Sequence, residues 1–164
     1  ELEDGDTVTI EDKILQVVRT PGHASNHICL YDVEHRCLFS GDHIIQGSSV
    51  LINPPDGNMK SYLNSMEKIE TFDINHIAPA HGGIIDNPYE AIRQTVNHRL
   101  EREQKIIECL RLHPKIKLSD LVKYAYDDTN TEIHLLAERS LLAHLLKLQK
   151  ENIVIMDENK WCLV

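Results

Sequence analysis

The sequence has 164 residues, 41% of them hydrophobic and 26% charged, an ordinary globular balance with room for one domain or two small ones. A formal net charge of −9 disfavours a broad electrostatic footprint for nucleic acid. No apolar run approaches the ~20 residues that a helical membrane span requires.

The chain opens on ELEDGDTVTIEDK, which is acidic and polar, unlike the basic then apolar start of a signal peptide. It does not begin with methionine, and the expectation is a piece cut from something longer. Short strands follow: TVTI, KILQVV, HICLYDV, CLFSGDHII and INHIAPA. HICLYD and CLFSGD flank the polar VEHR, which predicts a hairpin. One helix interrupts them, from Met59 to Phe72, with Tyr62, Leu63, Met66 and Ile69 at helical spacing. The linker before it, NPPDGN, is dense in turn formers.

After residue 85 the pattern becomes helical. Asn87-Pro88 reads as an N-cap with proline at the first helical position, opening a long helix to Leu112. KLSDLVKYAYD predicts a short helix opened by Ser119. TEIHLLAERSLLAHLLKLQKEN predicts a longer one opened by Thr131. IVIM, the turn DENK and WCLV close the chain as a hairpin. Three helices and a two-stranded wing are the order of a winged-helix module. The expected organisation is a strand-rich unit over 1–85, a connecting helix over 86–112 and a winged helix over 113–164, an α+β fold.

The four cysteines, Cys29, Cys37, Cys109 and Cys162, contain no CxxC and sit largely in apolar surroundings. They read as free thiols in a reducing compartment. The expected location is cytoplasmic, or the mitochondrial matrix in a eukaryote.

Three segments share one design. ILQVVRT-PGH ends at His23, CLFSG-D at Asp42 and INHIAPA-H at His81. Each is an apolar strand that stops at a small or turn-forming residue and then presents an imidazole or a carboxylate. Imidazole suits zinc and similar first-row ions, and a carboxylate with two oxygens can bridge two cations.

The ordered set, strand-PGH, hairpin-GD and strand-AHG, resembles the second half of the metallo-β-lactamase fold, an αβ/βα sandwich of metal-dependent hydrolases. TPGHASNHICL resembles its glyoxalase II branch. NHRLEREQKI on the long helix, with the winged-helix tail, is similar to the beta-lactamase-like protein 2 hydrolases, some of which are endoribonucleases. The resemblance implies two divalent metal ions, with zinc the first choice. His23 and His81 would be ligands of the two metals and Asp42 the bridge between them, a catalytic position. It implies hydrolysis of a small-molecule thioester or ester, or of a single-stranded RNA phosphodiester.

The family's HxHxDH signature is not found in this sequence. The chain is therefore expected to be a fragment that binds metal poorly, is inactive by itself and self-associates through its exposed half-sandwich. His27 is expected to support the ligands through a hydrogen bond. Ala24 replaces the family's usual threonine. His43, next to Asp42, is expected to point away from it on a strand. Arg99 and Arg102 share a helix face, and their first reading is solvated pairing with Glu101 and Glu103; phosphate contact to a substrate is the second. The contrasting function is a nucleic-acid-binding regulator acting through the winged helix. The mixed charge of its third helix, with Glu132, Glu138, Arg139, Lys147 and Lys150, favours an interdomain role instead.

Overall fold

Alternating and near-continuous apolar runs over the first 80 residues produce one five-stranded sheet. A computed structural model describes residues 2–47 and 49–164. Strands β1 (Thr7–Ile10), β2 (Lys13–Arg19), β3 (Ile28–Asp32), β4 (Cys37–Gly41) and β5 (His76–Pro79) lie in that spatial order. The first three pairings are antiparallel and β4–β5 is parallel. It follows that β2, β4 and β5 all run the same way and all end at one rim, where β3 begins.

The parallel pairing needs a crossover, supplied by helix α1 (Met59–Glu70). Asn58 starts it, its side chain accepting a hydrogen bond from Ser61 N at 3.0 Å, a cap that contributes about 1 kcal/mol. Met59, Tyr62, Leu63, Met66 and Ile69 fall on its inner face and are buried. They cover the sheet face carrying Val18, Cys29, Tyr31, Leu38 and Ile77. Each such aliphatic side chain contributes roughly 1.5–3 kcal/mol of burial. The helix stops at Glu70, two residues before the expected Phe72, where the N–H of Thr71 bonds the last carbonyls.

The opposite sheet face is less covered. Val17, Leu30, Phe39 and Ala78 line up across β2 to β5 on that side. Val17 is buried, whereas Phe39 is 43% exposed.

Helix α2 (Pro88–Leu112) has proline at its first turn, as expected, but Asn87 makes no side-chain cap bond. It leaves the sheet at Ile92 and enters a second core at Ile106 and Leu110. Helix α3 (Leu118–Ala125) is not opened by Ser119: Lys117 occupies the cap position and Ser119 lies inside the first turn. Likewise Asn130, not Thr131, caps the next segment, a 3₁₀ turn at Thr131–Ile133 leading into α4 (His134–Lys150). Strands β6 (Val154–Asp157) and β7 (Lys160–Leu163) form the wing. Glu158 and Asn159 between them have φ of 47° and 62°, the left-handed pair that a two-residue hairpin favours. Trp161 is 1% exposed and fills the second core beside Leu121, Leu141 and Leu148.

Helices α2 and α4 are joined by buried charges. Glu103 accepts from Lys147 Nζ at 2.7 Å and lies 3.4 Å from His144 Nδ1, and Lys147 also meets Glu151 at 2.9 Å. Burial alone would raise the Glu103 pKa, yet the hydrogen bonds from His144 and Lys147 outweigh it and hold the carboxyl below its usual range. Among the described residues, no helix is long and apolar enough to cross a membrane.

Candidate metal centre

His23 lies in the turn that carries the chain from β2 to β3. The backbone there passes so close to α1 that a Cβ on Gly22 would stand 2.3 Å from Tyr62 Cα. With φ of +148°, this position suits glycine alone. Ser65 Oγ on α1 donates to Pro21 O at 2.8 Å, fixing the turn from the same side. His23 Nδ1 stands 2.7 Å from the carbonyl oxygen of Leu51. A carbonyl can only accept, so Nδ1 carries the hydrogen and Nε2 keeps the lone pair that a cation would use.

Asp42 follows β4 and His81 follows β5. The structure brings them together: Asp42 Oδ1 and His81 Nε2 are 3.3 Å apart. The distance suits an ion pair, but the alignment is not that of a hydrogen bond. Among the described residues Oδ1 is buried and without a hydrogen-bond partner, although the Asp42 side chain as a whole is 41% exposed. An orphaned carboxylate oxygen facing an imidazole is unfavourable unless something satisfies it.

His27 immediately precedes β3 on the same rim. Its Nδ1 lies 2.8 Å from Thr20 Oγ1, and its ring centroid 6.3 Å from that of His23. A Cβ on Gly41 would meet His27 Nε2 at 2.9 Å, so glycine beside Asp42 makes room for this ring. Burial lowers the His27 pKa, the charge of His23 adds to this and Asp42 opposes it.

His43 is turned into the core, while Asp42 stays at the rim beside His81. β4 ends at Gly41, whose φ of 54° breaks the alternation, and the His43 ring packs between His27 and Tyr62, with centroids 5.2 and 4.6 Å away. It is fully buried with neither ring nitrogen partnered. Burial, then His27 and His23, push its pKa down to about 3, so it is neutral.

Beside the rim runs a groove of about 980 Å³ between the loops after β4 and β5, α2 and the start of α4. Gln46 stands at its entrance, accepting from Gly83 N at 2.7 Å. Ile84, Ile133 and Leu136 form its exposed apolar walls. Arg99 and Arg102 border it but are 4% and 8% exposed, and both hold protein groups. Arg99 Nη2 donates to Val50 O. Arg102 donates to Ala125 O and grips both oxygens of Asp128, at 2.8 and 3.0 Å. Among the described residues neither Glu101 nor Glu103 is their partner, Glu103 being held by Lys147 and His144. The sequence offered no signal for Leu51, Gln46 or Tyr62, which enter through backbone atoms, a loop entrance and a ring face.

The donor chemistry suits a divalent cation: a lone-pair imidazole nitrogen on His23, and an unpartnered carboxylate oxygen beside a second imidazole on the same rim. Among the described residues, no group of three or more His, Cys, Asp or Glu is placed to hold one ion. His23 and the Asp42–His81 pair are thus partial donor sets.

The fold, with the strand-end motifs at this rim, defines the class of protein. The profile of the metallo-beta-lactamase superfamily matches residues 1–81, and that of the beta-lactamase associated winged helix domain matches residues 118–161. The chain belongs to the metallo-beta-lactamase superfamily and ends in that winged helix.

Among particular proteins, it is 32% identical over 154 residues to the beta-lactamase-like protein 2 homolog of Caenorhabditis elegans, covering 93% of this chain and 50% of the relative. It is 35% identical over 146 residues to that of Drosophila melanogaster, covering 87% and 48%. An atrochrysone carboxyl ACP thioesterase of Aspergillus fumigatus is 25% identical over 108 residues, covering 66% and 33%. The chain spans about half the length of these first two relatives. A metallo-beta-lactamase family protein from Thermus thermophilus shares the fold with a TM-score of 0.88 at 21% identity, covering 99% of this chain and 54% of the other.

Proposed function

We propose that this chain contributes part of the active site of a dinuclear, metal-dependent hydrolase, with zinc the preferred ion. The observation that carries the reading is Asp42 Oδ1, buried and unpartnered beside His81 on the rim that also presents His23. Bound divalent ions would supply a metal-held hydroxide and stabilise the oxyanion formed on attack. The chain's own residues that would hold those ions are His23, Asp42 and His81. His27 and His43, both with lowered pKa, stay neutral behind them and so do not repel a cation.

The substrate is a thioester or ester, or a single-stranded RNA phosphodiester. The apolar groove walls, the net charge of −9 and the engagement of Arg99 and Arg102 with protein acceptors support the thioester. One of the similar proteins is named a thioesterase. The winged helix supports the groove rather than reading DNA, because Lys147 on its third helix is committed to Glu103 and Glu151.

The test is to measure hydrolysis of an acyl thioester and of single-stranded RNA, with added zinc or manganese, by this chain and by a protein of the full length of its relatives. The reading expects metal-dependent turnover from the longer protein and little from residues 1–164 alone. Metal-independent turnover, or none with either substrate, would sink it. Salt-dependent DNA binding would favour the regulator instead.

A further inference from the structure

The groups that aim His23 are not on its own strand. Its Nδ1 rests on the Leu51 carbonyl, 2.7 Å away, in an irregular stretch that no strand pairing fixes. Ile52 and Val50 insert their side chains into the core, at 0% and 8% exposure. Side-chain insertion fixes a segment's position but leaves the peptide planes free to tilt. The Val50 carbonyl, one residue before Leu51, accepts from Arg99 Nη2, and that bond sets the tilt.

Arg99 is itself held. Its guanidinium lies 5.4 Å over the Tyr62 ring, the same tyrosine whose backbone Gly22 abuts. The Tyr62 hydroxyl donates to the carbonyl of His43 at 3.0 Å, one residue beyond Asp42. A single guanidinium therefore touches both the shelf beneath His23 and the ring that braces the chain after Asp42. It arrives from α2, outside the sheet.

We propose that Arg99 is a positioning residue for the metal centre: by fixing the Val50–Leu51 peptides it holds His23 as the Nδ1–H tautomer, with Nε2 directed to a divalent cation. The proposal rests on His23 being a ligand, but its first test does not. Supporting hydrogen bonds of this kind are typically worth 10–100-fold in metal affinity.

Long-range proton–nitrogen correlation on histidine-labelled chain, free of metal and at pH 8, reads the His23 tautomer directly. The expected result is the Nδ1–H form in the unaltered chain and a mixture of tautomers in Arg99→Met, which keeps an unbranched stem on Tyr62 but removes the donor. Arg99→Lys restores a donor and should return most of the Nδ1–H form. Arg102→Gln, an equally buried arginine with partners elsewhere, should leave the His23 signal alone. Should Arg99→Met fail to fold, Arg99→Gln, too short to reach Val50, carries the same reading.

In a protein of the relatives' length, zinc affinity measured by chelator competition should weaken roughly 10–100-fold with Arg99→Met. An Nε2–H form in the unaltered chain, or an unchanged tautomer and affinity in a folded Arg99→Met, overturns the proposal. Absence of zinc binding by the unaltered longer protein would instead sink the hydrolase reading, and the tautomer measurement would still decide the role of Arg99.

Discussion

Lys147 on α4 reaches across to α2 and places its ammonium 2.7 Å from the Glu103 carboxylate, with side chains only 9% and 12% exposed. Removing one member of such a pair strands the other charge in a poorly solvated place, which typically costs about 3–5 kcal/mol. Lys147→Met should lower stability to urea by about that much. Lys147→Met with Glu103→Leu should recover most of it, because a well-packed apolar pair is often no worse than a buried ion pair. Equal loss in the single and double variants would contradict this account.

Asp42 and His81 should behave as one unit. Either alanine variant is expected to reduce metal uptake by the longer protein by more than the roughly 10–100-fold assigned to supporting groups, and the double variant should add little. Competition with a coloured chelator measures it. In the metal-free chain, Asp42→Asn should leave stability unchanged or raise it, since the orphaned oxygen gains no protein partner by being charged.

The fold should weaken in acid partly through Asp128. The Arg102 guanidinium holds its pKa down to about 2, against 3.8 unperturbed. A carboxyl lowered in the folded state binds protons more readily once unfolded. Its contribution is complete above pH 3.8 and is lost as pH falls from there toward 2. Asp128→Asn should flatten that part of a stability-against-pH curve: the two proteins should converge toward pH 2, and the variant should be less stable above pH 3.8, by a small amount because Asp128 is largely exposed and its pair screened.

Cys29 should be the slowest thiol. It is fully buried, and burial pushes its pKa up to about 12, so almost no thiolate exists at neutral pH. All four cysteines are free. A disulfide reagent should label Cys37 and Cys162 first and Cys29 only on unfolding; fast native labelling of Cys29 would show that the β2–β3 turn opens.

The exposed sheet face should bring two copies of this chain together. Phe39 stands open on it, β1 is the edge strand of the sheet among the described residues, and such surfaces associate. Light scattering should report dimers or larger species, and Phe39→Lys should shift the chain toward monomer. A monomer at high concentration in the unaltered chain would refute this.

The rim residues were legible in the sequence because each ends an apolar run with a turn former, and strand ends are positioned by backbone pairing that such runs encode. Arg99 was not. NHRLERE gives it charged neighbours one helical turn away, which reads as a wet surface. What buries it is the segment around Val50, 49 residues earlier and without periodicity. Ser119 and Thr131 were good capping residues, yet the cap positions fall a residue or two earlier, at Lys117, which makes no side-chain cap bond, and at Asn130, itself a favoured capping residue adjacent to Thr131.

Because β4 and β5 run side by side in the same direction, the chain must complete the whole of α1 before Asp42 can meet His81. The β2–β3 turn bearing His23 closes over a few residues, whereas that meeting must await a long loop closure. The order of folding should follow: the single imidazole is set early, and Asp42 and His81 meet only when β5 docks beside β4.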